Sequence, residues 1–201
     1  MKRILGATLT LILALALCTA AIAETYTHPV AGYGFIVPEG WIAVDGKNAI
    51  DVINAGKENA DFSETVLAML DQLESNPLVL LYETESINPD FTSNINVNVQ
   101  DLGAEVTVAD LLPILATFDE YYVSMFPEYA NSFPPTVVVL GEWETAILAG
   151  QYVLNDMALS LRQVFFVSGT DLYTVTLTVL TGEVDKYEVV LGGLVTTFIA
   201  P

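Results

Sequence analysis

Positive charge is scarce in this chain. Lysine and arginine together number 6, against 25 aspartate and glutamate residues, and the formal net charge is −19. Lys2 and Arg3 precede the first acidic residue, so residues 24–201 carry 4 basic and 25 acidic side chains, a net of −21. Proteins that bind nucleic acids gain affinity for phosphates from clustered lysine and arginine. The charge therefore excludes a nucleic acid as the partner.

Cysteine and histidine are also scarce, with one of each in the chain. Cys18 lies in the amino-terminal segment, so the sequence holds no disulfide framework. His28 precedes Pro29 and is interpreted as a surface or strand-edge residue. No Gly-x-Ser-x-Gly motif is present, and zinc sites draw on histidine and cysteine. We therefore expect no catalytic residues, no cofactor and no dedicated metal site.

The first 23 residues have the three-part layout of a secretory signal peptide. A short basic segment, Met1–Arg3, precedes the apolar run Ile4–Leu17, and Ala21-Ile22-Ala23 is a small-x-small cleavage site. We therefore predict that residues 1–23 direct export and are removed. An uncleaved membrane anchor remains the alternative, because the apolar run approaches about 20 residues when the cleavage region is counted.

Lipid anchoring would depend on Cys18. The attachment motif needs a small residue directly before the cysteine, and Leu17 is too large, which argues against lipidation. No other segment is long and apolar enough to cross a bilayer. We expect residues 24–201 to form a single domain that is secreted or otherwise extracytoplasmic, with no membrane span after signal removal.

Hydrophobic periodicity predicts strands and helices in the order ββ-α-ββ-α-ββββ-α. Strands that neighbour in sequence and join by short turns favour one antiparallel sheet with helices packed on it, an α+β fold. The predicted strands span residues 35–37, 41–44, 78–82, 94–100, 136–143, 146–154, 158–167 and 172–180. The predicted helices carry the apolar stripes Val66, Leu67, Met69, Leu70 and Leu73; Leu111, Ile114, Leu115, Phe118, Tyr122 and Met125; and Val184, Tyr187, Leu191, Leu194 and Phe198.

Prolines lie at one predicted turn, at one predicted break in the chain and near one predicted helix start. Pro38-Glu39-Gly40 predicts a tight hairpin or a corner, and Phe133-Pro134-Pro135 is expected to break the chain before the last four strands. Thr107 and Asp110 have the spacing of a capping box, but a helix from Thr107 would place Pro113 in its second turn. Because proline costs little only in the first turn, the prediction begins the second helix at Asp110.

Two rows of polar side chains are the least ordinary feature of the predicted sheet. Every second residue of the strand 94–100 is an amide, and threonine alternates along the last strand. If these strands are neighbours, the rows form a patch suited to a polar ligand or a partner strand. The alternatives are a face open to solvent and a face buried beneath a helix. The candidate residues are Asn94, Asn96, Asn98, Gln100, Thr174, Thr176 and Thr178.

Aromatic side chains gather at the end of the second predicted helix and in the loop that follows. Exposed tyrosine there would indicate a protein interface, because tyrosine is enriched in such patches. The alternative is packing beneath the Phe133-Pro134-Pro135 segment. The residues concerned are Tyr121, Tyr122, Phe126 and Tyr129.

Four strings of the sequence resemble the PsbP-like family of extracytoplasmic proteins. They are GYGFIVPEGW at 32–41, NINVNV at 94–99, QVFFVSGTDLYTVTLT at 163–178 and YEVVLGGLVTTF at 187–198. The family is named for an extrinsic subunit of photosystem II and shares its fold with a Ran-binding nuclear import factor. The resemblance implies an antiparallel sheet layered between helices, an α/β/α sandwich. It also implies a binding or assembly protein rather than an enzyme, because the characterised members of the family are of that kind, and it is consistent with export, since many bacterial members are exported proteins or lipoproteins.

The sequence thus predicts an exported, noncatalytic binding or assembly-accessory protein whose partner is a protein or polar ligand outside the cytoplasm. The alternative is an acidic module at the cell surface that binds calcium or other cations, since hard cations prefer oxygen ligands. Its candidate clusters are Asn88-Pro89-Asp90 and Asp119-Glu120, neither of which has the spacing of an EF-hand loop. The oligomeric state stays open.

Overall fold

The structure is a computed structural model that describes residues 24–46, 48, 78–83, 91–126 and 128–201. The first predicted helix and its stripe from Val66 to Leu73 lie outside the described residues. The strands are β1 (Thr25–Thr27), β2 (Gly34–Ile36), β3 (Trp41–Val44), β4 (Val79–Glu83), β5 (Asn94–Asp101), β6 (Ala130–Leu140), β7 (Trp143–Leu154), β8 (Met157–Ser168) and β9 (Asp171–Leu180). The helices are α1 (Val108–Leu115), α2 (Phe118–Met125) and α3 (Val184–Thr196), with a 3₁₀ turn at Thr181–Glu183.

Seven strands form one antiparallel sheet in the order β3-β4-β5-β9-β8-β7-β6. The last four strands are a meander, as predicted, because short turns join them. Asn155 and Asp156 have φ of 51° and 65° in the two-residue turn between β7 and β8. Such turns need positive φ at both positions, a conformation that asparagine and aspartate tolerate better than most residues. The predicted α+β class is confirmed.

Helices cover both faces of this sheet. We call the face of the sheet on which α3 packs the α3 face and the opposite face, on which α1 packs, the α1 face. On the α3 face, α3 packs on side chains from the middle strands and forms one apolar core. On the α1 face, a second core surrounds α1 at the meander end of the sheet. The first core includes Ile95, Val97, Phe166, Val175, Leu177, Tyr187, Leu191 and Leu194. The second includes Val108, Leu111, Leu115, Leu148, Leu161 and Phe165. The layering is that of an α/β/α sandwich, as the resemblance implied.

A short ribbon precedes the main sheet. β1, which the periodicity did not predict, pairs with β2, while β3 pairs with β4. The Pro38-Glu39-Gly40 turn is therefore a corner between two sheets. Gly34 joins the ribbon to the segment after α3, because its N–H and carbonyl exchange hydrogen bonds of 2.9 and 2.8 Å with Ile199. A methyl group on Gly34 would lie 2.7 Å from the Tyr26 carbonyl, so the close pairing needs glycine.

The predicted start of the second helix is wrong. Thr107 is the N-cap, and its N–H donates to Asp110 Oδ2 at 2.9 Å while the Asp110 N–H donates back to Thr107 Oγ1 at 3.4 Å. The Thr107 hydroxyl also donates to Asp110 Oδ2 at 2.6 Å, and this bond, followed by that from the Thr107 N–H, lowers the pKa of Asp110. The closed capping box outweighs the cost of Pro113, which lies on the exposed side of the helix, where an unpaired carbonyl can bond to solvent. The helix also divides into α1 and α2, which leaves Ile114 and Met125 exposed rather than in a buried stripe.

The predicted break at Phe133-Pro134-Pro135 is also wrong, because β6 continues through it. Its pairing with β7 shifts register between Asn131 and Phe133 and again between Phe133 and Thr136. β6 is the end strand of the sheet, and an end strand tolerates proline at bulges, where the ladder loses no donor.

Gly150 of β7 allows the ring of Tyr129 to lie directly on the sheet. A Cβ at position 150 would lie 2.5 Å from Tyr129 Cζ. We expect Gly150→Ala to lower the free energy of unfolding in urea by about 1–3 kcal/mol, the usual cost of overpacking. The control is Gly193→Ala, where no atom lies within 4 Å; it should raise stability by about 0.5–1 kcal/mol. Equal stability of Gly150→Ala and wild type would contradict this packing.

Candidate functional site

The pairing of β5 with β9 places the two predicted polar rows side by side. Asn94 lies opposite Thr178, Asn96 opposite Thr176 and Asn98 opposite Thr174. Gln100 lies opposite Leu172. Because side chains alternate along a strand, all of these point to the α1 face, while Ile95 and Val97 point into the core beneath α3. We call Asn94, Asn96, Asn98, Gln100, Gln163, Thr174, Thr176 and Thr178 the polar strip.

The members of the polar strip differ in exposure. Thr176 and Gln163 are buried, and Gln100 is exposed. The other five members are half-buried. Asn94 Nδ2 donates to the Thr92 carbonyl at 3.0 Å. The side-chain amides of Asn96 and Asn98 make no hydrogen bond to the part of the chain that the structure describes, so their donors and acceptors are available to a ligand.

Two of the four predicted aromatic residues pack on β7: Tyr129 lies against Gly150 and Phe126 against Tyr152. We call Tyr121, Tyr122, Phe126, Tyr129 and Tyr152 the aromatic cluster. The rings of Phe126 and Tyr152 stack with centroids 4.4 Å apart, and those of Tyr122 and Tyr129 lie 5.1 Å apart. Tyr129 is buried, Tyr122 and Phe126 are half-buried, and Tyr121 is 57% exposed. Only one of the four predicted interface residues therefore presents most of its ring to solvent.

Hydrogen bonds join the aromatic cluster to the polar strip. The Tyr122 hydroxyl donates to Gln163 Oε1 at 2.6 Å, and Gln163 Nε2 donates to Thr176 Oγ1 at 3.0 Å. Burial raises the pKa of Tyr122, which keeps the phenol protonated as a donor. A second link connects Tyr152 with the Thr178 side chain. The two regions that the sequence indicated separately are thus joined by hydrogen bonds through the buried side chains of Gln163 and Thr176.

A further set of contacts fixes α2 to the edge of the sheet. The Tyr129 hydroxyl donates to Asn131 Oδ1 at 2.9 Å, and the Asn131 amide donates to Asp119 Oδ1. Burial, followed by the nearby negative charge of Asp119, raises the pKa of Tyr129 to about 12. Asp119 is thus engaged in holding the helix in place.

Charge is divided between the two faces of the sheet. Residues 58–161 contain no lysine, arginine or histidine. The lysine and the arginine that the structure describes both make ion pairs near α3: Arg162 Nε with Glu188 Oε1 at 2.6 Å, and Lys186 Nζ with Glu83 Oε1 at 2.8 Å. The described part of the α1 side therefore carries charge of one sign. Its acidic residues are Glu105, Asp110, Asp119, Glu120, Glu128 and Glu144.

The described residues contain neither a grouped set of metal ligands nor a helix suited to cross a membrane. Within the described ranges, no three histidine, cysteine or acidic residues are grouped so as to hold a metal ion. Asn88-Pro89-Asp90, a candidate cation cluster, falls outside those ranges. No helix among the described residues combines the length and the apolar character that a membrane crossing requires.

The expectation for His28 is wrong, because this side chain is buried, with 5% of its surface exposed. Its Nδ1 accepts hydrogen bonds from the N–H groups of Val30 and Ala31 at 3.2 and 3.0 Å, and its ring stacks on Tyr33 at 5.0 Å. The imidazole therefore acts as the acceptor that closes the turn after β1.

Sequence reasoning missed Gln163 and Tyr152. Gln163 interrupts the apolar alternation of β8 between Leu161 and Phe165, and this polar residue on an otherwise apolar face was the available signal. Tyr152 gave no such signal, because a tyrosine on an alternating strand is ordinary core composition.

Comparison with known proteins identifies the fold. No family model matches the sequence, and no curated protein matches it either. The structure is similar to that of LpqN, a protein involved in cell envelope biogenesis of Mycobacterium tuberculosis, with a TM-score of 0.55 and 14% identity over 89% of this chain and 90% of LpqN. It is also similar to the cyanobacterial PsbP (CyanoP) of Synechocystis sp. PCC 6803, with a TM-score of 0.54 and 14% identity over 92% of this chain and 99% of that one.

A third similar structure comes from Bacteroides thetaiotaomicron, with a TM-score of 0.53 and 13% identity over 89% of this chain. This chain spans 48% of that protein, about half of its length. Together these likenesses show that the chain has the PsbP-like fold, which confirms the fold that the sequence strings implied.

The link between the aromatic cluster and the polar strip can be tested by removing one hydroxyl. Tyr122→Phe leaves Gln163 Oε1 without its donor at a buried position, so we expect the free energy of unfolding in urea to fall by about 1–3 kcal/mol. Tyr121→Phe is the matched control, since the Tyr121 side chain is exposed, and it should change stability by less than about 0.5 kcal/mol. Equal effects of the two substitutions would contradict the link.

The burial of His28 has a consequence for pH dependence. Burial lowers the pKa of His28 below its ordinary value of 6.5, and the charge of Asp45 only partly opposes this. The contribution of such a group to the free energy of unfolding is fully present above the pKa that it has in the unfolded chain. This contribution is lost as the pH falls from that value through the lower pKa of the folded protein. His28→Asn keeps an acceptor near the turn but does not titrate.

We therefore expect the difference in free energy of unfolding between wild type and His28→Asn to be constant above about pH 7.5. Below about pH 6.5 it should shift in favour of the variant. The measurement is a series of urea titrations of both proteins at constant ionic strength. Both proteins contain the same carboxylates, so the difference between their free energies of unfolding reports on position 28. Parallel pH profiles for the two proteins would show that His28 titrates as it does in the unfolded chain.

Proposed function

We propose that this chain is an exported, noncatalytic binding or assembly-accessory protein that recognises a partner with the α1 face of its sheet. The observation that carries the proposal is the hydrogen-bonded path from Tyr122 through Gln163 to Thr176. It connects the aromatic cluster with the polar strip on one side of the sheet, and the charged side chains described on that side are acidic. Interfaces commonly combine tyrosine with a polar rim, and this surface has both.

Export is supported by the layout of residues 1–23 and by the fold. The signal-peptide pattern directs the chain out of the cytoplasm, and LpqN, which shares the fold, is involved in cell envelope biogenesis. A role at the cell envelope or cell surface follows as the most consistent setting for the mature residues 24–201.

The chemistry of the surface supports binding rather than catalysis. The polar strip consists of amides and hydroxyls, which donate and accept hydrogen bonds but do not exchange protons near neutral pH. The single histidine is buried at the amino-terminal ribbon, where its Nδ1 accepts hydrogen bonds from two backbone N–H groups. The composition of the polar strip thus favours recognition over general acid–base or nucleophilic catalysis.

Site-specific photo-crosslinking in the producing cells tests this function. A photoreactive residue replaces Tyr121 in the aromatic cluster or, as the control, Val189 on α3, which is 77% exposed on the opposite layer. We expect a discrete crosslinked product from position 121 and none from position 189, with the mature protein outside the cytoplasm. Equal products from both positions, or a protein retained in the cytoplasm, would refute the proposal.

The cation-binding alternative is tested by thermal unfolding. The net charge of −21 on residues 24–201 makes the folded state sensitive to any screening ion. We expect calcium to raise the Tm no more than magnesium at the same concentration, and both to be matched closely by sodium chloride at equal ionic strength. A larger rise specific to calcium would reveal a dedicated site by mass action and would favour the alternative function.

A further inference from the structure

β6 leaves one edge of the seven-stranded sheet unpaired among the described strands. It is the end strand of the sheet order, and its only described strand partner is β7. From Thr136 to Leu140 the pairing with β7 is regular, with each residue opposite one residue of Trp143–Ile147. This half of β6 is therefore a straight segment whose outer main-chain groups are free to pair.

The direction of these groups follows from one hydrogen bond. Thr145 Oγ1 donates to the Val138 carbonyl at 3.0 Å, so that carbonyl points toward β7. In antiparallel pairs successive residues alternate between facing the partner strand and facing away from it. The N–H and carbonyl groups of Val137 and Val139 therefore point outward. The Val139 side chain is also 70% exposed.

Proteins usually protect such edges with lysine, proline, bulges or short strands. In β6, Pro134-Pro135 and both register shifts protect the first half only. Thr136–Leu140 has no charge and no proline, and its β-branched residues favour an extended chain. The protection stops where the regular segment begins.

The acidic residues near this edge indicate the charge of the partner segment that it fits. Glu144 lies opposite Val139, and Glu142 lies in the turn that follows Leu140. No basic residue occurs between Lys57 and Arg162. A second copy of the chain would bring together two such edges, each on a molecule of net charge −19. A cationic segment instead meets opposite charge, which favours both encounter and register.

We propose that Thr136–Leu140 binds an extended segment of a partner protein in which lysine or arginine alternates with apolar residues. The segment adds to the sheet as a strand beside β6, with main-chain bonds to Val137 and Val139 and its cations near Glu142 and Glu144. This inference rests on the proposed binding function and names the chemistry of the partner.

The probe is a fluorescent nine-residue peptide that alternates lysine and valine, and the readout is anisotropy with the whole exported protein. Val139→Pro removes an outward N–H and places a ring in the path of the added strand, without removing a bond to β7. Val139→Thr keeps the backbone donor and is the matched control. We expect Val139→Pro to weaken peptide binding at least about tenfold, and Val139→Thr to bind within about threefold of wild type.

A second measurement does not depend on the folding of any variant. The same peptide with the backbone nitrogens of all its valines and lysines N-methylated keeps its charge but has no N–H groups to donate along either edge. We expect it to bind the wild-type protein at least about tenfold more weakly. Equal binding of both peptides would mean attraction to the acidic surface alone and would overturn the proposal, as would failure of the unmodified peptide to bind.

Sedimentation of the wild-type protein tests whether a second copy of the chain occupies the edge of β6. A concentration-dependent dimer that Val139→Pro abolishes would assign the edge to a second copy and overturn the proposal. Crosslinking at Tyr121 tests the binding function independently, because Tyr121 lies on α2 and outside β6. Loss of crosslinks with intact peptide binding would refute that function while leaving the edge interaction in place.

Discussion

The pairing of β5 with β9 is the interaction on which the rest of the structure depends. It joins β3, β4 and β5 to the meander of β6–β9 through eight consecutive residue pairs. A slip of one residue would move Ile95 and Val97, both fully buried, out of the core and bring the amides of Asn96 and Asn98 into it. Replacing one buried aliphatic side chain by one buried amide without a partner lowers the free energy of unfolding by roughly several kcal/mol. The register is therefore strongly specified.

This register also determines where each kind of surface lies. The face beneath α3 is apolar, and the two ion pairs of Arg162 and Lys186 lie along that helix. The opposite face holds the polar strip, the aromatic cluster and acidic side chains without a neighbouring cation in the described residues. The buried pair of Gln163 and Thr176 connects the two regions, because each satisfies the other within the sheet. In the proposed binding function, recognition on this side would combine a fixed hydrogen-bonding pattern with attraction for a positively charged partner.

Sequence periodicity was enough to predict the elements whose pattern is local. Strands β5 and β9 and helix α3 were found because alternation or a helical stripe runs through them. The failures depend on contacts distant in sequence. β1 is stabilised by pairing with β2, which in turn pairs with the segment after α3. The prolines of β6 are tolerated because that strand is at the edge of the sheet. The polar rows could be predicted, but their link to Tyr122 through Gln163 required knowing which strand lies beside β9.

A pair of engineered cysteines tests the β5–β9 register most directly. In a Cys18→Ser background, Asn98→Cys with Thr174→Cys places two thiols on directly opposite residues. The Cβ atoms of directly opposite residues in antiparallel strands lie about 4.5–5.5 Å apart. Asn98→Cys with Val175→Cys places them on opposite faces of the sheet, where a disulfide cannot close without moving the backbone. The account predicts a disulfide in the oxidised first pair, with the protein still folded, and none in the second. A disulfide that forms only between positions 98 and 175 would contradict it.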